Sequence, residues 1–412
     1  MKILIAAAGS YGDVAPYTGL GARLREAGHT VALAADASYA QLVRTAGLEF
    51  RALPADPRRE GSGAPGGKRE LMRRAAAFVR ELGPGIAGAA TPGTDLLLLS
   101  ATTAPLGRHV AEALGVPSLD LPLQPNAPTS AFPPVVTGTR SLGRWGNRAA
   151  GRLSLRIVDR LYADGVRDLR AQLGLPPASA RAVRRHRNAD SRPVLHGVSP
   201  ALVPRPADWR PGLELVGNWW PYTAPDATLP PELESFLASG PPPVFVGFGS
   251  MAAGGGSSER LAATVAGALR RAGVRGVIQS GWAGLTGPAG GADILTVGEV
   301  PHALLFPRTA AVVHHAGAGT TAAALRAGAP AVPVPVTADQ PFWAARLAAV
   351  GAGTDAVPFR SLVAEGAVER LAEAIGRAVQ EPSYRDAATA VARRMEAEDG
   401  AGEVIKAVES AA

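Results

Sequence analysis

Residues 310 to 340 restrict the possible folds of this chain more than any other stretch. An apolar run, Ala310 to Val313, has the length and composition of a buried strand. It leads into His314, His315, Ala316, Gly317, Ala318, Gly319, Thr320 and Thr321. An alanine-rich helical pattern continues to Arg326 and stops at Gly328 and Pro330. A second apolar strand, Ala331 to Val336, ends at Thr337, Ala338, Asp339 and Gln340. The order is strand, glycine turn, helix, strand, with polar residues gathered at the carboxyl ends of the strands. In an open parallel sheet those ends are where ligands bind.

The turn has a specific chemistry. Small residues at Gly317, Ala318 and Gly319 let the backbone approach a ligand closely. The free N–H groups of the following first helical turn, which includes Thr320, favour an anion. His315 at the entry adds a hydrogen bond to a phosphate. The acid–amide pair Asp339–Gln340 supplies acceptors and an amide donor, which suit a polyol. A diphosphate joined to a sugar satisfies both halves.

The chain start is a second unit of this kind. Strand Ile3 to Ala8 meets Gly9, Ser10, Tyr11, Gly12, Asp13, Val14, Ala15 and Pro16. A helix is expected from Tyr17 to Ala27, then a strand from Thr30 to Ala35 that ends at Asp36. A glycine turn with a distant acid also marks dinucleotide sites, but GSYG followed by Asp13 is not G-x-G-x-x-G, and Asp13 would repel a pyrophosphate. Two readings of Asp13 and Ser10 stay open. They cap the helix, or they have the catalytic role that the resemblance given below implies.

Strands Asp95 to Ser100 and Pro117 to Leu123 extend the first sheet. Thr102, Thr103, Gln124 and Asn126 follow them, as turn formers or as the lining of an acceptor cleft. Residues 54–70 are rich in proline, glycine and charge and are expected to form a mobile loop. Arg140, Arg144, Arg148, Arg152, Arg156 and Arg160 recur at every fourth position and make one slowly drifting helical stripe. That stripe reads as a solvated face, or as a contact with an acidic acceptor or an anionic membrane surface. The proline-rich stretch 204–242 holds LVGNWWP and is placed at a domain junction. A second glycine-rich strand end, Val244 to Gly249 followed by Ser250, opens the second half.

The totals narrow the class. With 412 residues and 47% apolar content, two or three domains with substantial cores are expected. There is no cysteine, so no disulfide framework or thiolate metal site is expected. The short apolar run leading into Gly9 does not resemble a signal peptide, and no run approaches the ~20 residues that span a bilayer. A cytoplasmic protein is expected. The net charge of +7 is mostly arginine, but zinc spacings and aromatics interleaved with the basic residues beyond Trp145 are missing, which argues against nucleic acid as a partner.

The segment HHAGAGTT…AGAP…DQPFWAARL resembles the donor-binding signature of family 1 glycosyltransferases of the GT-B fold. The likeness is to bacterial enzymes that glycosylate glycopeptide and polyketide antibiotics, and to sterol glucosyltransferases. It implies an α/β chain of two Rossmann-like parallel-sheet domains with a cleft between them. The acceptor domain would span residues 1–215 and the donor domain 216–382. A terminal helix over 383–412 would cross back to the first domain.

The resemblance further implies a nucleoside diphosphate sugar (UDP or dTDP) and a small apolar aglycone as partners. It implies inversion at the sugar and no cofactor, and the lack of any D-x-D pair fits metal independence. On this reading Asp13 and Ser10 are catalytic. Ser250 faces the donor phosphate, Trp282 and the loop at Val300 lie at the nucleotide base, and His315 contacts the diphosphate while His314 is structural. Gln124 and Asn126 line the acceptor side. Ala316 stands where relatives usually carry glycine. A nucleotide-sugar epimerase and a non-catalytic nucleotide-sugar binder of the same architecture remain as alternatives.

Overall fold

The structure is a computed structural model that describes residues 1–55, 68–189, 192–249, 257–281 and 292–411. Most of the expected 54–70 loop, together with Ser250 and Trp282, lies outside the described residues.

Twelve described strands form two parallel sheets. The first holds β1 (Lys2–Ala6), β2 (Thr30–Asp36), β3 (Glu49–Leu53), β4 (Leu96–Leu99), β5 (Ser118–Asp120), β6 (Val194–His196) and β7 (Leu213–Leu215) in the order 3-2-1-4-5-6-7. The second holds β8 (Val244–Gly247), β9 (Gly276–Gln279), β10 (Ile294–Val297), β11 (Ala311–His314) and β12 (Ala331–Pro333) in the order 10-9-8-11-12. The first half carries helices α1 (Tyr11–Glu26), α2 (Ala40–Thr45), α3 (Lys68–Ala89), α4 (Ala104–Leu114), α5 (Gly143–Gln172) and α6 (Ala180–Ala189). The second half carries α7 (Pro231–Ala238), α8 (Ser257–Arg271), α9 (His302–Leu305), α10 (Ala318–Arg326), α11 (Gln340–Ala349) and α12 (Ala367–Gln380). Helices α13 (Pro382–Glu396) and α14 (Gly400–Glu409) end the chain.

The period-2 geometry of a strand explains why both faces of each sheet are covered. Along β1, Ile3 and Ile5 pack with α1 and α14, while Leu4 and Ala6 pack with α3, α4 and α5. In the second sheet, Val244 and Val246 face α8 and α12, and Phe245 faces α7 and Phe306. In each sheet the strand order reverses beside the first strand, between β1 and β4 and between β8 and β11. Ligand crevices open at such reversals.

Two elements differ from the expectation. Helix α1 begins at Tyr11, not Tyr17, with Pro16 inside it. Proline removes one intrahelical bond, to the carbonyl of the exposed Gly12, which water can replace. The terminal segment is two helices, not one. It breaks at Asp399, whose side chain caps α14 by accepting the Gly402 N–H at 3.0 Å. The break turns the chain: α13 packs its Ala388, Val391 and Met395 at the junction between the sheets, and α14 places Val404 and Val408 in the first core. Trp219 bonds to the Gly400 carbonyl at 3.1 Å, and Trp220 carries Arg326 over its ring at 4.4 Å.

Candidate active site

At the end of β1 the chain turns sharply into α1. The Ser10 N–H and Oγ both donate to Asp13 Oδ2, each at 2.8 Å. This is the reach-back arm of a capping box, in which the third helical residue closes on the cap. Gly9 has φ +143°, and a Cβ there would lie 2.4 Å from Asp13 Oδ2. Only glycine leaves room for the carboxylate. Asp13 is half-buried and held in one rotamer at the strand's carboxyl end, so the capping geometry is present and also fixes where a base would stand. Tyr11 lies beside Glu299 of the second half: partial burial first, and the Glu299 charge second, push its phenol up.

The turn after β11 is built around two histidines. His314 is fully buried, and its Nδ1 accepts the Ala316 N–H at 3.1 Å. Ala316 is buried with φ +60°, the left-handed region that favours glycine. The His315 ring lies between two glycines. A Cβ on Gly317 would stand 2.5 Å from its Nε2, and one on Gly249 would stand 3.0 Å from its Cε1. His315 Nδ1 is buried and has no hydrogen-bond partner among the described residues. Burial drives His315 down to about 4, against a weaker upward pull from the Gly247 carbonyl. His302, stacked on Phe306 at 4.3 Å, falls to about 4, and His314 to about 3, each chiefly by burial and secondarily by repulsion from His315. Gly317 caps α10, and the N–H groups of Ala318, Gly319 and Thr320 in its first turn have no intrahelical acceptor.

After β12, Asp339 caps α11. Its Oδ2 accepts two hydrogen bonds, one from Trp343 Nε1 and one from Gln124 Nε2, both at 2.7 Å. Gln124 follows β5 of the first sheet, so this contact joins the carboxyl edges of the two sheets. Gln340, expected beside Asp339 in a polyol pair, uses its carbonyl locally. Its Oε1 accepts the N–H groups of Val336 and Thr337, at 2.8 and 3.1 Å, and so holds its own turn. The preceding residue but one, Ala338, has φ +55°, and the glutamine carbonyl stabilises that strained loop. Asn126 is exposed and donates its N–H to the Gln124 carbonyl at 2.9 Å. Val300 packs its side chain in the second core.

Three residues gained roles that the sequence reading did not assign. Trp343, read in the sequence only as part of the DQPFWAARL segment, positions Asp339. The spacing of four on one helix face was the available signal. Tyr11 feels the charge of Glu299 from the second half, and His302 joins the histidine cluster. No local signal marks either of these long-range pairings.

Two family models match. Residues 3–133 match the glycosyltransferase family 28 N-terminal domain, and residues 290–411 match the erythromycin biosynthesis protein CIII-like C-terminal domain. The chain is 36% identical to O-mycaminosyltylonolide 6-deoxyallosyltransferase of Streptomyces fradiae, over 97% of this chain and 95% of that protein. The chain belongs to the GT-B glycosyltransferases of antibiotic and sterol type. This glycosyltransferase is also 34% identical to a sterol 3-beta-glucosyltransferase of Arabidopsis thaliana, where 99% of the chain spans 65% of that longer protein. Among solved structures, the glycosyltransferase superposes on that of kitacinnamycin with a TM-score of 0.73 at 18% identity, covering 100% and 98% of the two chains. It superposes on VinC, solved in complex with dTDP, with a TM-score of 0.67 at 21% identity, covering 100% and 99%. Those likenesses show the shared fold.

Proposed function

We propose that this enzyme moves a sugar from a UDP or dTDP sugar to a hydroxyl of an apolar natural-product acceptor in the cytoplasm, with inversion and without a metal ion. One observation carries the reading. The Gln124–Asp339 hydrogen bond joins the carboxyl edges of the two sheets, and Asp13 and the His315 turn each follow the carboxyl end of a strand, β1 in the first sheet and β11 in the second.

The chemistry then divides between the sides. The acceptor hydroxyl attacks the anomeric carbon from the face opposite the leaving diphosphate, and a single displacement of this kind inverts the centre. Asp13 takes the hydroxyl proton as the bond forms. Negative charge grows on the departing diphosphate, where the Ala318 to Thr320 amides and His315 are already oriented, so no reorganisation is needed during the step. Asp339 accepts from sugar hydroxyls. Ser250 and Trp282, outside the described residues, are assigned to the phosphate and the base by the resemblance alone. The dTDP in the VinC complex and the O-mycaminosyltylonolide named for the Streptomyces fradiae relative support the two substrate classes.

The test is a thermal-shift screen of UDP, dTDP and their sugars, repeated on His315→Ala, followed by product analysis with apolar alcohols. The expected result is stabilisation by one nucleotide series, which follows RT ln(1+[L]/Kd), loss of that shift in the variant, and a product of inverted configuration by NMR. A retained configuration would overturn the single displacement, and an equal shift in His315→Ala would overturn the donor site.

A further inference from the structure

We infer that the outer face of α5 is a docking surface for an anionic lipid bilayer. Trp145 is 89% exposed, Leu153 is 56% and Ile157 is 59%. At 100° per residue, these three share an arc of roughly 140° with Arg152, Arg156 and Arg160. The opposite face buries Asn147, Gly151, Tyr162, Val166 and Leu169, so the helix cannot roll to hide the apolar side chains. Leu142, 59% exposed, extends the apolar surface just ahead of the helix.

The charges choose the partner. The acids nearest the stripe are already engaged: Asp159 with Arg184, and Asp164 with Arg80 and Arg167. Arg148 reaches Asp208 at 3.9 Å. Arg144, Arg152, Arg156 and Arg160 have no ion-pair partner among the described residues. Like charges four apart destabilise a helix, and here no acid on the same face offsets them. An anionic headgroup layer would. Arginine with interleaved tryptophan, leucine and isoleucine is the pattern of a helix lying in a membrane interface, with guanidinium groups at the phosphates and apolar tips below them. Among the described residues no helix is long and apolar enough to cross a membrane, so contact at the surface is the available mode.

The start of α5 is tied to the loop that carries Gln124 and Asn126: Asn147 Nδ2 donates to the Ser130 carbonyl at 3.3 Å, and its Oδ1 accepts the Leu142 N–H at 2.9 Å. The loop therefore sits on the buried side of α5, one helix diameter from the proposed bilayer. Binding itself does not depend on what the enzyme transfers.

The test is flotation of the full chain with vesicles of phosphatidylcholine, with and without phosphatidylglycerol. Binding to the anionic vesicles alone, reversed by high salt, is expected. Each arginine is worth about fivefold, so Arg152→Gln/Arg156→Gln/Arg160→Gln should weaken binding roughly 100-fold. Trp145→Ala should weaken it further, with the melting temperature unchanged in both variants because the side chains are exposed. Absence of binding to anionic vesicles at low salt would overturn the inference, as would undiminished binding by the triple variant. So would sedimentation showing a dimer that Trp145→Ala dissociates, because the face would then belong to a second copy.

Discussion

Gln124 Nε2 donates to Asp339 Oδ2 at 2.7 Å, across 215 positions of sequence and between the edges of two separate sheets. The same oxygen accepts from Trp343, so Asp339 is oriented from both sides. On the proposed function, a donor sugar shares or displaces these bonds. Hydrogen bonds to a charged group contribute about 1.5–3 kcal/mol. Asp339→Ala should therefore weaken binding of the nucleotide sugar by about 10- to 100-fold, while the free nucleoside diphosphate binds as before. Titration calorimetry with both ligands decides this, and parallel losses would remove Asp339 from the sugar site. Gln124→Ala leaves the Trp343 contact and should change donor affinity less than Asp339→Ala does.

Asp13→Asn tests the base. The amide oxygen can still accept from the Ser10 N–H and hydroxyl, so α1 should start where it does now. Proton abstraction is lost, and general-base catalysis contributes about 10²- to 10⁴-fold. Turnover should fall at least about 100-fold, with nucleotide affinity retained. Single-turnover kinetics at saturating donor would show it, and an unchanged rate would rule out the base. Gly9→Ala, by pressing a methyl toward Oδ2, should lower the rate as well and should also lower stability.

These positions differ in how legible they were in the sequence. The two sheets followed from runs such as Leu96 to Leu99, which are apolar on both faces and so read as buried parallel strands. The turn at His314 to Thr321 was legible because phosphate chemistry restricts residue size and order over a short span. Helix α1 starts six residues ahead of the expected Tyr17 because Ser10 and Asp13 close a capping box there and the helix accommodates Pro16. The Gln340 fold-back could not be read, since it answers the left-handed backbone at Ala338, which no residue type announces. The pairings of Gln124 with Asp339 and of Tyr11 with Glu299 depend on how the halves meet, and that information is spread over the whole junction.

Ala316 isolates the cost of a strained backbone. Left-handed geometry disfavours alanine by about 1–2 kcal/mol. Glycine removes that strain but loses a buried methyl, worth about 0.8 kcal/mol, and adds freedom to the unfolded chain. These effects oppose one another, so Ala316→Gly should leave stability within about 1 kcal/mol of the parent. Ala316→Val should cost at least about 2 kcal/mol, because a β-branched residue at positive φ is an outlier. Urea denaturation of the three proteins gives the comparison, and a Val variant as stable as the parent would show that the turn relaxes.

The histidine cluster links pH to stability and to binding with opposite signs. Unfolded, each ring titrates near 6.5. Burial holds His302 and His315 at about 4 and His314 at about 3. Between those values and 6.5 the unfolded chain binds more protons, so stability rises with pH in that window. It is complete above about 6.5 and is lost as pH falls toward 4, at up to about 1.4 kcal/mol per pH unit for each ring. The urea midpoint should drop between pH 7 and 5, and His302→Phe, which keeps a ring against Phe306, should flatten the drop. Nucleotide binding runs the other way. A diphosphate beside His315 favours its charged form, so the bound ring titrates above about 4 and binding takes up protons. Affinity for UDP or dTDP should rise as pH falls below 7, and calorimetry in two buffers of different ionisation heat should show the uptake. His315→Ala should abolish the uptake while His302→Phe preserves it. If both variants retain it, the proton resides elsewhere and His315 does not meet the phosphate.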